Sequence, residues 1–280
     1  MGTSNMYTGP SKSPLLPDDF EESPSPDFPD GDGDQEEPNS DSQNDNNSDV
    51  GQQNSNEDTN WRNAKNFMSR FASGSSSNHK RAVSSYVKAH GGARNAAKSA
   101  IGGVRSTAGF GQFLTNSSSQ GVRKTLSQYQ IEYEGRTAKD ILADLINHLA
   151  PVPITKEDSV ARKALIRTME ILYEKIDDEN KDISTLDKID KDLLNEMIPI
   201  QIESYIYERI INDLGSRIET KSSSPSDALS KENEIKEYIN SKVETTLKDK
   251  DFSQINFSGS MNKDVENLYK QCYKVMEDML

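Results

Sequence analysis

The run Met197-Ile198-Pro199-Ile200-Gln201-Ile202-Glu203-Ser204-Tyr205-Ile206-Tyr207-Glu208-Arg209-Ile210-Ile211-Asn212-Asp213-Leu214 decides the fold class. Ile202, Ile206, Ile210, Ile211, Leu214 and Ile218 recur at steps of three and four residues, the period of one helix face and not the alternation of a strand. Leu186, Ile189, Leu193, Leu194 and Met197 keep the same rhythm upstream, so Ile183 to Lys221 is the longest periodic segment. Pro199 falls inside it. A proline there removes a hydrogen bond and clashes with the preceding turn, at about 3 kcal/mol, so a kink or short break is expected near Met197–Ile200.

Helical spacing continues on both sides. Thr155-Lys156-Glu157-Asp158 has the form of a capping box and opens a helix to about Asp177, with Val160, Ala164, Leu165, Met169, Leu172, Tyr173 and Ile176 on one side. Gly135-Arg136-Thr137 starts a helix from Ala138 to Ala150 that Pro151-Val152-Pro153 stops. Further helices are expected at 225–248 and 262–280, with Phe252 to Phe257 extended between them. Toward the N-terminus, Thr59 or Asn60 can cap a helix beginning at Trp61, whose Ala64, Met68, Phe71 and Ala72 form a stripe. A second helix is expected over Asn78–His90, then a small-residue helix from Ala93 that ends at Gly102-Gly103. Two more follow, over Ser106–Asn116 with Phe110, Phe113 and Leu114 inward, and over Gly121–Tyr129. No βαβ alternation occurs, so the expectation is an all-α domain.

The chain has 280 residues, net charge −13 and an apolar fraction of 32%, against about 45–50% for ordinary globular domains. The deficit is local, and so is the charge. Residues 1–60 hold 15 acidic side chains and one lysine; residues 61–130 hold 11 basic and none acidic; residues 131–280 hold 21 basic and 31 acidic. The organisation expected is a disordered acidic tail with a neutral tip over 1–58, a basic Gly/Ala/Ser-rich helical segment over 59–130, and an α-helical domain over 131–280. In the tail, prolines forbid regular helix, and the Asp/Asn/Ser/Gln run from Asp30 to Asp58 buries too little to offset its ordering entropy. Pro14-Leu15-Leu16-Pro17 and Phe20 interrupt it as a short apolar plug.

Catalytic and metal constellations are missing from the pattern. One cysteine, Cys272, excludes an internal disulfide and sits at helical spacing among apolar residues, as a core residue does. His79, His90 and His148 are scattered and read as surface or boundary residues. The glycine-rich Gly102–Gly111 lacks the Gly-x4-Gly-Lys-Ser/Thr form of a phosphate-binding loop. The runs Asp177-Asp178-Glu179 and Asp187 to Asp192 alternate with lysines, as a solvated helix face does. With no membrane-length apolar run and no secretory signal, a cytoplasmic chain is expected.

The basic block is the strongest physical signal. Arg81, Arg94, Lys98 and Arg105 are its candidate contacts to a phosphate or to an acidic partner. Both readings, a protein partner and nucleic acid, stay open on charge alone.

His90-Gly91-Gly92-Ala93-Arg94, Ala97, Ile101-Gly102-Gly103-Val104-Arg105 and Gly109-Phe110-Gly111-Gln112-Phe113-Leu114, with Met1-Gly2-Thr3-Ser4, Gly9-Pro10 and Pro14–Pro17, resemble the QatB family, a subunit of four-gene Qat anti-phage defence systems. The tail departs from that pattern by being acidic and asparagine-rich. The resemblance implies a non-enzymatic partner protein needing no cofactor or metal. It implies three companions: a P-loop ATPase, a QueC-like enzyme of the 7-deazaguanine pathway and a TatD-like nuclease. It implies that the QueC-like enzyme acts on the N-terminus, making Gly2 the acceptor of a 7-deazaguanine-type modification, with Thr3, Ser4 and Asn5 as the residues that enzyme recognises. A small, uncharged terminus suits entry into another enzyme's pocket. Lipidation of Gly2 does not fit, since Met6 stands where Ser or Thr is needed.

Overall fold

In the computed structural model, one helix, α8 (Lys191–Lys221), is buried almost all round over its middle: every residue from Gln201 to Tyr207, then Arg209 and Ile210, is buried. A helix apolar on one stripe lies at a surface; a helix buried on all sides is a core. The described residues are 49–176, 187, 189–259 and 262–278, with only the backbone described over 49–57. The remaining helices are α1 (Asp49–Ala72), α2 (His79–Ala89), α3 (Gly92–Ser99), α4 (Ile101–Gln120), α5 (Val122–Gln128), α6 (Ala138–Leu149), α7 (Lys156–Ile176), α9 (Pro225–Leu247) and α10 (Lys263–Glu277). A 3-10 turn spans Phe252–Gln254. The protein is all-α, with no strand among the described residues, and Ser48–Leu280 forms one compact unit.

Helices α1 and α2 form a hairpin. Helix α8 packs on α1, α4, α7 and α9, while α10 lies across α2, α3, α4 and α9. Local caps start α2, α6 and α7, the Thr155–Asp158 capping box being the one expected from sequence. Asn78 Oδ1 accepts from Arg81 N at 3.3 Å, Thr137 caps α6 through Asp140 N, and Thr155 and Asp158 exchange reciprocal bonds of 3.1 Å. Phe110 and Phe113 are core, and so is Cys272, whose thiol burial pushes up to about 12.

Five boundaries differ from expectation. Helix α1 starts at Asp49, ahead of Trp61, so neither Thr59 nor Asn60 is its cap. Helix α8 runs unbroken through Pro199. Burial and packing outweigh the one lost hydrogen bond. Its start is Asp190, whose Oδ1 accepts from Leu193 N at 2.8 Å; Asp190 is therefore a cap and not part of a helix face. The expected helical residues 183–186, and Asp177-Asp178-Glu179, lie outside the described residues. Phe252 to Phe257 opens with a 3-10 turn instead of being extended throughout, and both phenylalanines are buried.

The fifth difference matters most. Gly102-Gly103 does not end a helix; it lies in the first turn of α4, which then runs on to Gln120. A Cβ on Gly103 would sit 2.7 Å from the Tyr205 ring, and one on Gly111 would meet the Phe257 ring still more closely. These glycines let α4 approach its neighbours. Their lower helix propensity, about 1 kcal/mol each, is outweighed by close packing.

Candidate functional site

The junction of α2, α3 and α4 carries most of the sequence-selected residues. Gly91 and Gly92, at φ +76° and +84°, make the left-handed turn between α2 and α3 that other residues adopt only with strain. Ala100 then breaks the chain between α3 and α4.

Each exposed helix end here is capped from the acidic half of the chain. Glu277 of α10 accepts from Ala93 N at 3.2 Å, at the start of α3. Glu157 of α7 accepts from Gly102 N at 3.1 Å, at the start of α4, and also receives the Tyr205 hydroxyl. Carboxylates at helix N-termini satisfy orphan N–H groups and complement the helix dipole. At the other end of α3, Arg209 donates to Ala96 O at 2.9 Å and to Ser99 Oγ at 2.8 Å, placing a cation on a helix C-terminus. Arg209 is 6% exposed and also reaches the Tyr273 hydroxyl at 3.3 Å. Nearby, Tyr86 donates to Asp213 Oδ2 at 2.8 Å, and Lys156 bonds the other oxygen of Asp213 at 2.8 Å. Burial drives the hydroxyls of Tyr86, Tyr205 and Tyr269 well above the usual tyrosine range, so all three stay neutral, and Tyr86 and Tyr205 donate to their carboxylate partners.

The inner face is thus locked, and the outer face carries the basic residues. Arg94 and Lys98 lie one turn apart on the exposed side of α3 and form no ion pair with any described residue. Arg105, on α4, is exposed and stands 3.6 Å from Asp158. Arg81 is exposed too, but it starts α2, about 12 Å along the helix from its end at the α3 turn. Arg94 and Lys98 thus share one face of α3, Arg105 lies in the first turns of the next helix, and Arg81 lies on α2, away from the α3 turn. Gly2, Thr3, Ser4 and Asn5 lie outside the described residues.

Histidines take boundary positions. His90 packs edge-on to Trp61 and Tyr86 at 5.1 and 4.7 Å between centroids, and burial lowers it to about 4. His148 is exposed and stacks on Tyr129 at 4.5 Å. Among the described residues, no group of three or more His, Cys, Asp or Glu is placed to hold a metal ion, and no helix is long and apolar enough to cross a membrane.

Sequence reading missed Arg209, Glu157, Glu277 and Asp213. Arg209 left a trace: it is four residues from Tyr205 and directly before Ile210, a charge inside an apolar run. The carboxylates left none, because their partners are distant in sequence: main-chain N–H groups for Glu157 and Glu277, and the Tyr86 hydroxyl and Lys156 for Asp213.

The fold and junction define an all-α protein with a charge-locked helical hub and a basic outer face. The chain matches, over residues 91–276, the family model described as Qat anti-phage system associated protein QatB. It belongs to the QatB family, whose members are associated with Qat anti-phage systems. No characterised protein and no solved structure matches the chain.

Proposed function

We propose that this chain is a non-enzymatic scaffold or adaptor subunit of a multi-protein bacterial anti-phage complex. Its companions in this reading are the QueC-like enzyme, the P-loop ATPase and the TatD-like nuclease. The observation that carries the reading is the α3–α4 hub. Its main chain is fixed from inside by Glu277, Arg209 and Glu157, while Arg94, Lys98 and Arg105 are held outward as a preorganised basic surface. A rigid support lowers the ordering cost of a contact.

In the same reading the N-terminus is a substrate. Removal of Met1 frees the α-amine of Gly2, which is joined to a 7-deazaguanine base in an ATP-dependent step by the QueC-like enzyme, with Thr3, Ser4 and Asn5 recognised beside it. The support is the uncharged, small-residue terminus and the family membership. Intact mass spectrometry of the chain co-expressed with the QueC-like enzyme tests it: a mass increase on the Gly2 peptide is expected, and an unmodified glycine or a retained Met1 rules it out.

A second reading is favoured by the same exposed cations: a nucleic-acid-binding module using residues 61–130. It requires affinity for a duplex DNA probe that falls steeply with salt and drops further in R94A/K98A/R105A. Salt-insensitive or absent binding by the full chain removes it.

A further inference from the structure

Large apolar side chains left exposed among the described residues are few: Ile101 at 44%, Val152 at 80%, Ile154 at 93% and Leu229 at 60%. Three of the four belong to one place. Val152 and Ile154, in the loop after α6, line an open cavity together with Gly102 and Arg105. Ile101 stands one turn before Arg105 on α4. Singly exposed aliphatic residues need no explanation, but a cluster around a cavity marks a contact surface.

The loop is built to present these side chains. Pro151 and Pro153 fix its φ angles. Its start is tied by Arg162, which donates to Ala150 O and, at 2.6 Å, to Asn147 Oδ1. Its end is tied by the Thr155–Asp158 capping box. The loop is held at both ends while Val152 and Ile154 face solvent. Little conformational entropy is left to lose on binding.

Charge narrows the occupant. Residues 150–154 carry no charge. The charged lining of the cavity is Arg105, in a loose pair with Asp158; the exposed Lys98 and Arg94, with no ion pair to any described residue, lie on the helix that ends two residues before Ile101. A fitting partner carries carboxylates around an apolar anchor. Nucleic acid fits less well, because the centre of the patch is aliphatic and offers bases no aromatic platform.

We propose that Ile101, Arg105, Val152 and Ile154 form a docking surface for an acidic protein segment with aliphatic or aromatic anchor side chains. The proposal rests on the reading of this chain as a complex subunit and specifies where one companion is gripped.

The test uses the full chain and each purified companion protein of its Qat system in biolayer interferometry, with thermal melts as a folding control. V152D/I154D is expected to lower affinity for one companion at least tenfold without moving the melt, since both side chains are solvent-facing. V152I/I154V is expected to keep wild-type affinity, and R94A/K98A/R105A to weaken binding and flatten its salt dependence. If the wild type binds a companion and V152D/I154D binds it equally well, the docking surface is wrong and the subunit reading stands. If the wild type binds none of them, the subunit reading falls and the surface with it. Loss confined to concentration-dependent self-association, or to a duplex DNA probe, overturns the stated occupant.

Discussion

Arg209 Nη1 donates to the main-chain oxygen of Ala96 at 2.9 Å, although 113 residues separate them in sequence. The bond links the buried middle of helix α8 to the C-terminus of α3, so core and basic face are one mechanical unit. Arg209→Ala removes the donor shared by Ala96 O, Ser99 Oγ and the Tyr273 hydroxyl, leaving Ala96 O only its 3.1 Å bond from Ser99 Oγ, and opens a cavity; it is expected to cost about 3–5 kcal/mol. Arg209→Lys keeps the charge but not the fork, and should recover only part of the loss. Urea unfolding of the full chain measures both. An unchanged midpoint in Arg209→Ala would show that the hub does not hold the fold.

Gly103 and Gly109 lie on the same helix and should respond oppositely to alanine. At Gly103 the added Cβ meets the rigid, buried Tyr205 ring at 2.7 Å, so overpacking of about 1–3 kcal/mol is expected. At Gly109 the nearest atom is Leu149 Cδ2 at 3.2 Å, the end of a half-buried, rotatable side chain. There the gain in helix propensity, up to about 1 kcal/mol, offsets the crowding, and Gly109→Ala should melt at or above wild type. Equal melting temperatures in the two variants would contradict this account of the glycines.

These glycines also show where sequence reading stops. Helices α2, α6 and α7 were legible because their signals are local: Asn78, Thr137 and the Thr155–Asp158 pair cap the helices they precede, and apolar spacing fixes the buried side. Gly102-Gly103 reads as a terminator by the same local logic, but its role is set by Tyr205 and Glu157, residues remote in sequence. Pro199 reads as a break for a similar reason, since the burial that carries α8 through it comes from surrounding helices. The exposed basic residues were legible from charge alone. The groups that fix them from beneath, Arg209, Glu157 and Glu277, act on main-chain atoms and leave no spacing to find.

His90 makes stability depend on pH. Burial first, then the Arg209 charge, lower its pKa to about 4, against the opposing pull of Asp213, while the unfolded chain titrates near 6.5. Between those values the unfolded state binds the proton and the folded state does not. The stabilising contribution is therefore complete above about pH 6.5 and is lost as pH falls toward 4, up to about 3 kcal/mol. His79 is lowered for the same leading reason, burial, and adds in the same direction. His90→Phe should flatten the pH dependence of the urea midpoint between 6.5 and 4. A variant that loses stability with acid as steeply as wild type would place the dependence elsewhere.

Glu157 serves two partners at once, Gly102 N and the Tyr205 hydroxyl. Glu157→Ala leaves an uncapped N-terminus on α4 and a buried hydroxyl without an acceptor, which together should cost about 2–4 kcal/mol. Glu157→Gln retains an acceptor oxygen but loses the charge that complements the helix end, so a smaller loss is expected. The outer face gives the contrast. Arg94→Glu and Lys98→Glu change charge at exposed positions without an ion pair to any described residue, and each should shift stability by about 0.5 kcal/mol or less. Melts of the four variants side by side separate what holds the junction together from what it displays. Losses in the charge reversals as large as in Glu157→Ala would mean that the basic residues support the fold.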